Sequence, residues 1–126
     1  MDILGITIWR EARGEGEAGM RAVYQVIVNR AIANRNGWPY LEREQVCLQP
    51  YQFSCWNTAD PQRALYPKCD GDPQYLLIQT IIGDNNNGQD PTGGATAYYD
   101  RSIPAPSWAT AESLRCQIGR LRFYKL

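Results

Sequence analysis

Two apolar runs with a break between them constrain this chain more than any other feature. Ile3, Leu4, Ile6, Ile8 and Trp9 form the first; Ala22, Val23, Val26, Ile27, Arg30 and Ala31 fall on a helical period in the second. Between them lies Arg13-Gly14-Glu15-Gly16-Glu17, carboxylate-rich and interrupted by two glycines. The spacing predicts a first helix from about Asp2 to Arg13, stopped at Gly14 because glycine tolerates the left-handed cap. A second helix should run from about Gly16 to Arg35 and stop at Asn36-Gly37. Packed together, the two make the core.

Glu11 sits near the end of the first of these helices. Its carboxyl should lie beside packed apolar surface, which disfavours the ionised form and raises the pKa. A raised pKa keeps the proton on at neutral pH, as a general acid requires. The ordinary alternative is that Glu11, Glu15 and Glu17 are solvated charges pairing with Arg10, Arg13 and Arg21. Taken alone, that is the commoner state of a helical glutamate.

The rest of the chain is long enough for one core and no more: 126 residues, 44% hydrophobic and 21% charged, read as a single domain over 1–126. Thirteen Lys and Arg balance thirteen Asp and Glu, so nucleic acid is not an implied partner. From Arg101 onward the balance turns basic, with Arg101, Arg115, Arg120, Arg122 and Lys125 against Glu112 alone. That edge suits an anionic polymer or simply water. No apolar run approaches a membrane span, and no basic stretch and cleavage site of a signal peptide precede the first helix. Synthesis in the cytoplasm is the corresponding expectation.

Leu41 to Leu48 reads as a short helix with Val46 and Leu48 inward, after a turn at Trp38-Pro39. Gln49 to Asp72 is long, irregular and aromatic, and loops of that length in a small domain usually carry function. Asp72-Pro73 is a helix start, Asp as cap and Pro in the first turn, for a helix from Pro73 to about Ile82. Asp84 to Gly88 and Pro91 to Gly94 are turn material. Ala95 to Tyr99 reads as a strand, and Gln117 to Tyr124 as a hairpin around a Gly-Arg turn. The fold class is therefore α+β, mostly helical with a small β element.

Four cysteines are present and no histidine. Their spacing lacks the close pairs of a zinc site, so no metal is expected. Two disulfides, Cys55 with Cys69 and Cys47 with Cys116, are the expectation for an oxidising compartment; buried free thiols are the alternative.

In order along the chain, Glu11-Ala12-Arg13-Gly14-Glu15, Ala22-Val23, Val28-Asn29-Arg30 and Gln52-Phe53-Ser54-Cys55-Trp56 are followed by Asp90-Pro91-Thr92-Gly93-Gly94-Ala95-Thr96-Ala97-Tyr98-Tyr99, Ser107-Trp108, Ile118-Gly119-Arg120 and Phe123-Tyr124. This set resembles the cell wall hydrolase family that includes the spore cortex-lytic enzymes. The resemblance implies a lysozyme-like fold that cleaves peptidoglycan glycan strands, with Glu11 as catalytic acid. Many relatives carry histidine around Ala97 and near Tyr99. This chain has none, so Tyr98 or Tyr99 must serve there.

Two-carboxylate hydrolysis needs a partner for Glu11, and Glu15 or Glu17 would have to supply it. Gly14 and Gly16 argue that the helix does not continue to bring Glu15 round. A one-carboxylate scheme fits better: Glu11 protonates the glycosidic oxygen between N-acetylmuramic acid and N-acetylglucosamine, then takes the proton of the muramyl C6 hydroxyl as a 1,6-anhydro ring closes. This lytic transglycosylase chemistry, which the resemblance also implies, calls for no cofactor. Gln52, Thr96 and Tyr98 offer hydrogen bonds to sugar, and Phe53, Trp56 and Trp108 offer flat faces, unless these aromatics merely fill the core. A water-using muramidase and a noncatalytic wall-binding module are the competing readings. A monomer is expected. Met1 directly before the first helix points to a bacteriophage endolysin, released to act on the wall in the periplasm and lyse the host cell, over an excised catalytic domain.

Overall fold

The computed structural model describes residues 1–33, 42–49 and 53–126. Among the described residues there are four α-helices, α1 (Ile3–Ala12), α2 (Gly16–Ala33), α3 (Arg43–Leu48) and α4 (Pro73–Asp84), one of them the buried axis of the others. The strands β1 (Ala97–Asp100), β2 (Leu114–Ile118) and β3 (Leu121–Tyr124) form one antiparallel sheet in the order β1-β3-β2.

The axis is α1 itself, packed against α2, α3 and α4 and buried from Leu4 to Arg10 and again at Ala12. An apolar run without a polar face can be a helix only if neighbours cover every side. Its start is fixed by Asp2, whose carboxylate accepts from the Gly5 N–H at 2.6 Å and from Gln79 Nε2 of α4 at 3.0 Å. Gly5 permits the close approach of α4, since a Cβ there would stand 2.6 Å from the Gln79 amide nitrogen. α1 ends and α2 starts where expected, but the left-handed residue between them is Gly16, at φ +75°, and not Gly14; Arg13 caps α1 in ordinary right-handed geometry.

α2 turns Met20, Ala22, Val23, Val26 and Ile27 into the core. Tyr24 is fully buried among them, its hydroxyl donating to Asn85 Oδ1 at 2.7 Å and accepting from Arg43 at 2.8 Å. α4 begins as its sequence predicts, with Asp72 accepting from the Gln74 and Tyr75 N–H groups at 3.0 Å. It runs through Gly83 to Asp84, however, and stops where Asn85, Asn86 and Asn87 all take positive φ. The Asn86 amide offsets that strain by donating to the Arg21 carbonyl and to Gln25 Oε1. In α3 Val46 is buried as expected, but Leu48 faces solvent, 47% exposed at the last position of a short helix. The turn at Trp38-Pro39 and the end of α2 at Asn36-Gly37 lie outside the described residues.

Segment 90–96 links helices to sheet. Asp90 accepts from Thr92 N, Thr92 Oγ1, Gly94 N and Asn29 Nδ2 of α2, and Asn29 donates also to the Ala95 carbonyl. Burial alone would raise the Asp90 pKa, yet these bonds hold it below the usual carboxylate value. The β2–β3 turn rests on Gly119 at φ +58°.

Neither expected disulfide is formed. All four cysteines are free thiols, Cys47 and Cys55 in the core, Cys69 exposed and Cys116 half-buried. Cys116 Sγ lies instead 3.9 Å from the Pro91 and Thr92 carbonyls on the sheet side. No helix among the described residues is long and apolar enough to cross a membrane.

Candidate active site

A cavity of about 610 Å³ opens where the end of α1 meets α2 and the sheet. Its wall includes Glu11, Arg30, Phe53, Ser54, Tyr98, Tyr99, Asp100, Ile103, Pro106 and Trp108. Glu11 reaches it from the last turn of α1, Arg30 from α2 one turn beyond Val26, and Tyr98, Tyr99 and Asp100 from consecutive positions of β1.

Burial raises the Glu11 pKa above its ordinary value. The backbone N–H and thiol of Cys55 and the hydroxyl of Tyr98 lie against the carboxyl and pull the other way, while the negative charge of Asp60 adds to the rise. Asp60, not Glu15, is thus the neighbouring carboxylate. Tyr98 is packed against Phe123 and Phe53, ring centroids 5.6 and 6.5 Å away. Burial and the Glu11 charge push its phenol well above its usual pKa, so it remains a donor. Arg30 donates from Nε to the Thr96 carbonyl at 2.6 Å and stands over Phe53 at 5.9 Å. Burial lowers its pKa, but a guanidinium keeps its charge. The second cavity carboxylate, Asp100, has the opposite character to Glu11. It accepts from the Ser102 N–H at 2.9 Å and faces Arg120 at 3.9 Å, and the Ser102 bond holds its pKa down.

The predicted site residues therefore separate. Glu11, Phe53, Tyr98 and Trp108 line the cavity. Phe53 is only 3% exposed, so it forms wall and offers no open platform. Trp108 stands edge-on to Tyr99 and Tyr124, with centroids 6.2 and 5.5 Å away, and these rings form an apolar corner. Trp56 is elsewhere: its Nε1 donates to Thr7 and its face carries the Arg10 guanidinium at 4.6 Å. Thr96 is spent on structure, its N–H bonded to the Tyr124 carbonyl and its hydroxyl accepting from Leu126 N. Glu15 and Glu17 are absent from the wall, held by Arg120 at 3.2 Å and Arg21 at 3.0 Å. Gln52 lies outside the described residues. Sequence reasoning passed over Arg30, Asp60 and Asp100 as site residues. Only Arg30 carried a signal, its spacing of four from Val26 on one helix face. Among the described residues no group of three His, Cys, Asp or Glu is arranged to hold a metal ion.

Residues 14–124 match the family described as Cell Wall Hydrolase. The chain belongs to the cell wall hydrolase family. Glu11 lies just ahead of the matched stretch, so its assignment rests on the cavity geometry. Among solved structures, the catalytic domain of the germination-specific lytic transglycosylase SleB of Bacillus anthracis is 28% identical, with a TM-score of 0.70 over 98% of this chain and 91% of that one. The catalytic domain of the Bacillus cereus SleB protein gives the same identity and TM-score, covering 98% and 87%. The helical domain with its small sheet is therefore a fold these proteins share. A spore cortex-lytic enzyme of Halalkalibacterium halodurans is 29% identical over 120 residues, 95% of this chain. The chain spans a third of that relative's length, 33%.

Proposed function

We propose that this domain cleaves peptidoglycan glycan strands as a lytic transglycosylase, with Glu11 acting first as acid and then as base. The observation that carries the reading is the Glu11 carboxyl, its pKa raised by burial, at the wall of a cavity that also presents Tyr98 and Trp108. Glu11 gives its proton to the glycosidic oxygen as the bond to the muramyl C1 breaks. The resulting carboxylate accepts the proton of the C6 hydroxyl while its oxygen closes on C1. The Tyr98 hydroxyl stabilises the carboxylate between these steps, and the Tyr99–Trp108 corner supplies apolar surface for a sugar ring. The name of the Bacillus anthracis relative, a lytic transglycosylase, supports the same chemistry.

Asp100 gives weight to a second reading, a water-using muramidase. It is an ionised carboxylate in the same cavity, whereas Glu15 and Glu17 are not in its wall. Digestion of peptidoglycan in ¹⁸O-water decides between the two. Anhydromuramic ends free of label support the first; label at C1 with reducing ends makes Asp100 the base to test. A noncatalytic wall-binding module would release no fragments in either case. The cell wall is accordingly its proposed place of action, and delivery by a bacteriophage lysis system the proposed route. Lysis of an expressing host only when its inner membrane is permeabilised tests that route.

A further inference from the structure

Arg10, next to Glu11 on α1, is 4% exposed and makes none of its hydrogen bonds to a carboxylate. Nε donates to the Leu65 carbonyl at 3.0 Å, Nη2 to Arg63 at 2.8 Å and Nη1 to Cys55 at 3.4 Å. The guanidinium also lies over Trp56 and Tyr66, 4.6 and 4.7 Å from their ring centroids. A planar fork of five donors can bond three carbonyls while stacking on rings; a lysine ammonium cannot. All these partners belong to one surface segment, 53–66, which Trp56 Nε1 ties to α1 a second time through Thr7 at 2.9 Å. The residue whose carbonyl Arg10 holds, Cys55, is the one whose N–H and thiol lie against Glu11.

We propose that Arg10 is a positioning residue: it clips segment 53–66 onto α1, so that Cys55 closes one side of the Glu11 carboxyl and keeps water from it. The inference rests on the reading of Glu11 as the acid and deepens it. Glu11 is faced by Cys55 and Asp60 from the clipped segment and by Tyr98 from β1; Arg30 of α2 lines the same cavity, and Cys47 of α3 lies near Cys55. Only Cys55 and Asp60 ride on the segment. Because burial is the largest cause of the raised Glu11 pKa, loosening the segment hydrates the carboxyl, water takes the place of the Cys55 hydrogen bonds, the Asp60 charge moves away, and the pKa comes down.

Two variants test this. Arg10→Lys keeps the charge and loses the fork; Tyr66→Ala strips one face of the clip at a side chain already 59% exposed, with little risk to folding. Each is followed by kcat and KM on purified peptidoglycan, by the pH–rate profile and by direct ¹³C NMR titration of the Glu11 carboxyl. In Arg10→Lys kcat should fall about 10- to 100-fold with KM nearly unchanged, as expected for a misplaced catalytic group. The alkaline limb and the Glu11 titration should both move to lower pH, and Tyr66→Ala should move them the same way by less. Folded variants whose Glu11 titration stays in place, whether active or not, overturn the proposal. If Arg10→Lys does not fold, Tyr66→Ala decides alone. A shifted titration in a protein whose Glu11→Gln variant remains active upholds the clip and removes Glu11 as the acid.

Discussion

At Glu11 a carboxyl and an amide differ little in shape, so Glu11→Gln separates chemistry from packing. Activity on peptidoglycan should drop by about 10²- to 10⁴-fold, the usual contribution of a general acid. Stability should move the other way. The folded pKa lies above the unfolded one, so the native chain holds its proton more tightly. The stability this contributes is complete below the unfolded pKa and is lost as pH rises through the folded value. The variant, with nothing to lose, should melt above the parent at about pH 8 and alongside it near pH 4, as calorimetry would show. Thiol chemistry gives a second residue-level test. Iodoacetamide on the native protein, read by mass, should label Cys69 first and spare Cys47 and Cys55, since burial protects both and pushes the Cys47 thiol up to about 12. Loss of four protons from the oxidised protein would restore the two bridges. The buried place of Glu11 at the end of α1 was legible in sequence because its helix is local; the places of Asp60 and Asp100 were not, because they depend on how distant segments return to α1.

Helices gave themselves away at their starts more than at their ends. Asp72-Pro73 carries its cap within two residues, and Asp72→Ala should cost about 1 kcal/mol in denaturant unfolding without altering the cavity. The stop of α4 was misread because glycine can end a helix but need not: α4 passes through Gly83, and Asn85 to Asn87 turn the chain instead. The strands were found through alternation and the Gly119 turn, but alternation says nothing of what a loop packs against. Trp56 and Thr96 therefore looked like sugar contacts while serving structure. Trp108 lies on the cavity side of that division. Trp108→Ala should raise KM for glycan several-fold and leave the melting curve near that of the parent, given its half-exposed position.

Across the whole molecule, Glu11 with its raised pKa and Asp100 with its lowered one share one cavity, so the pH profile and the product report on the same arrangement. Activity should fall as pH rises through the elevated Glu11 pKa, because the acid form disappears. Glu15→Gln and Glu17→Gln should leave that limb where it is; Glu17 loses an exposed ion pair with Arg21, and Glu15, its side chain only 11% exposed, loses its pair with Arg120 outside the cavity wall. Finally, α1 is translated before every element that encloses it. Its core partner α4 is not made until Pro73–Asp84, so the early nascent chain displays a greasy helix with a buried-type arginine and nothing to cover either. Such a chain gains little by folding piecemeal and must gather its walls in one late, cooperative event. Truncations that end before Asp84 should therefore aggregate outright, with no series of progressively shorter soluble fragments.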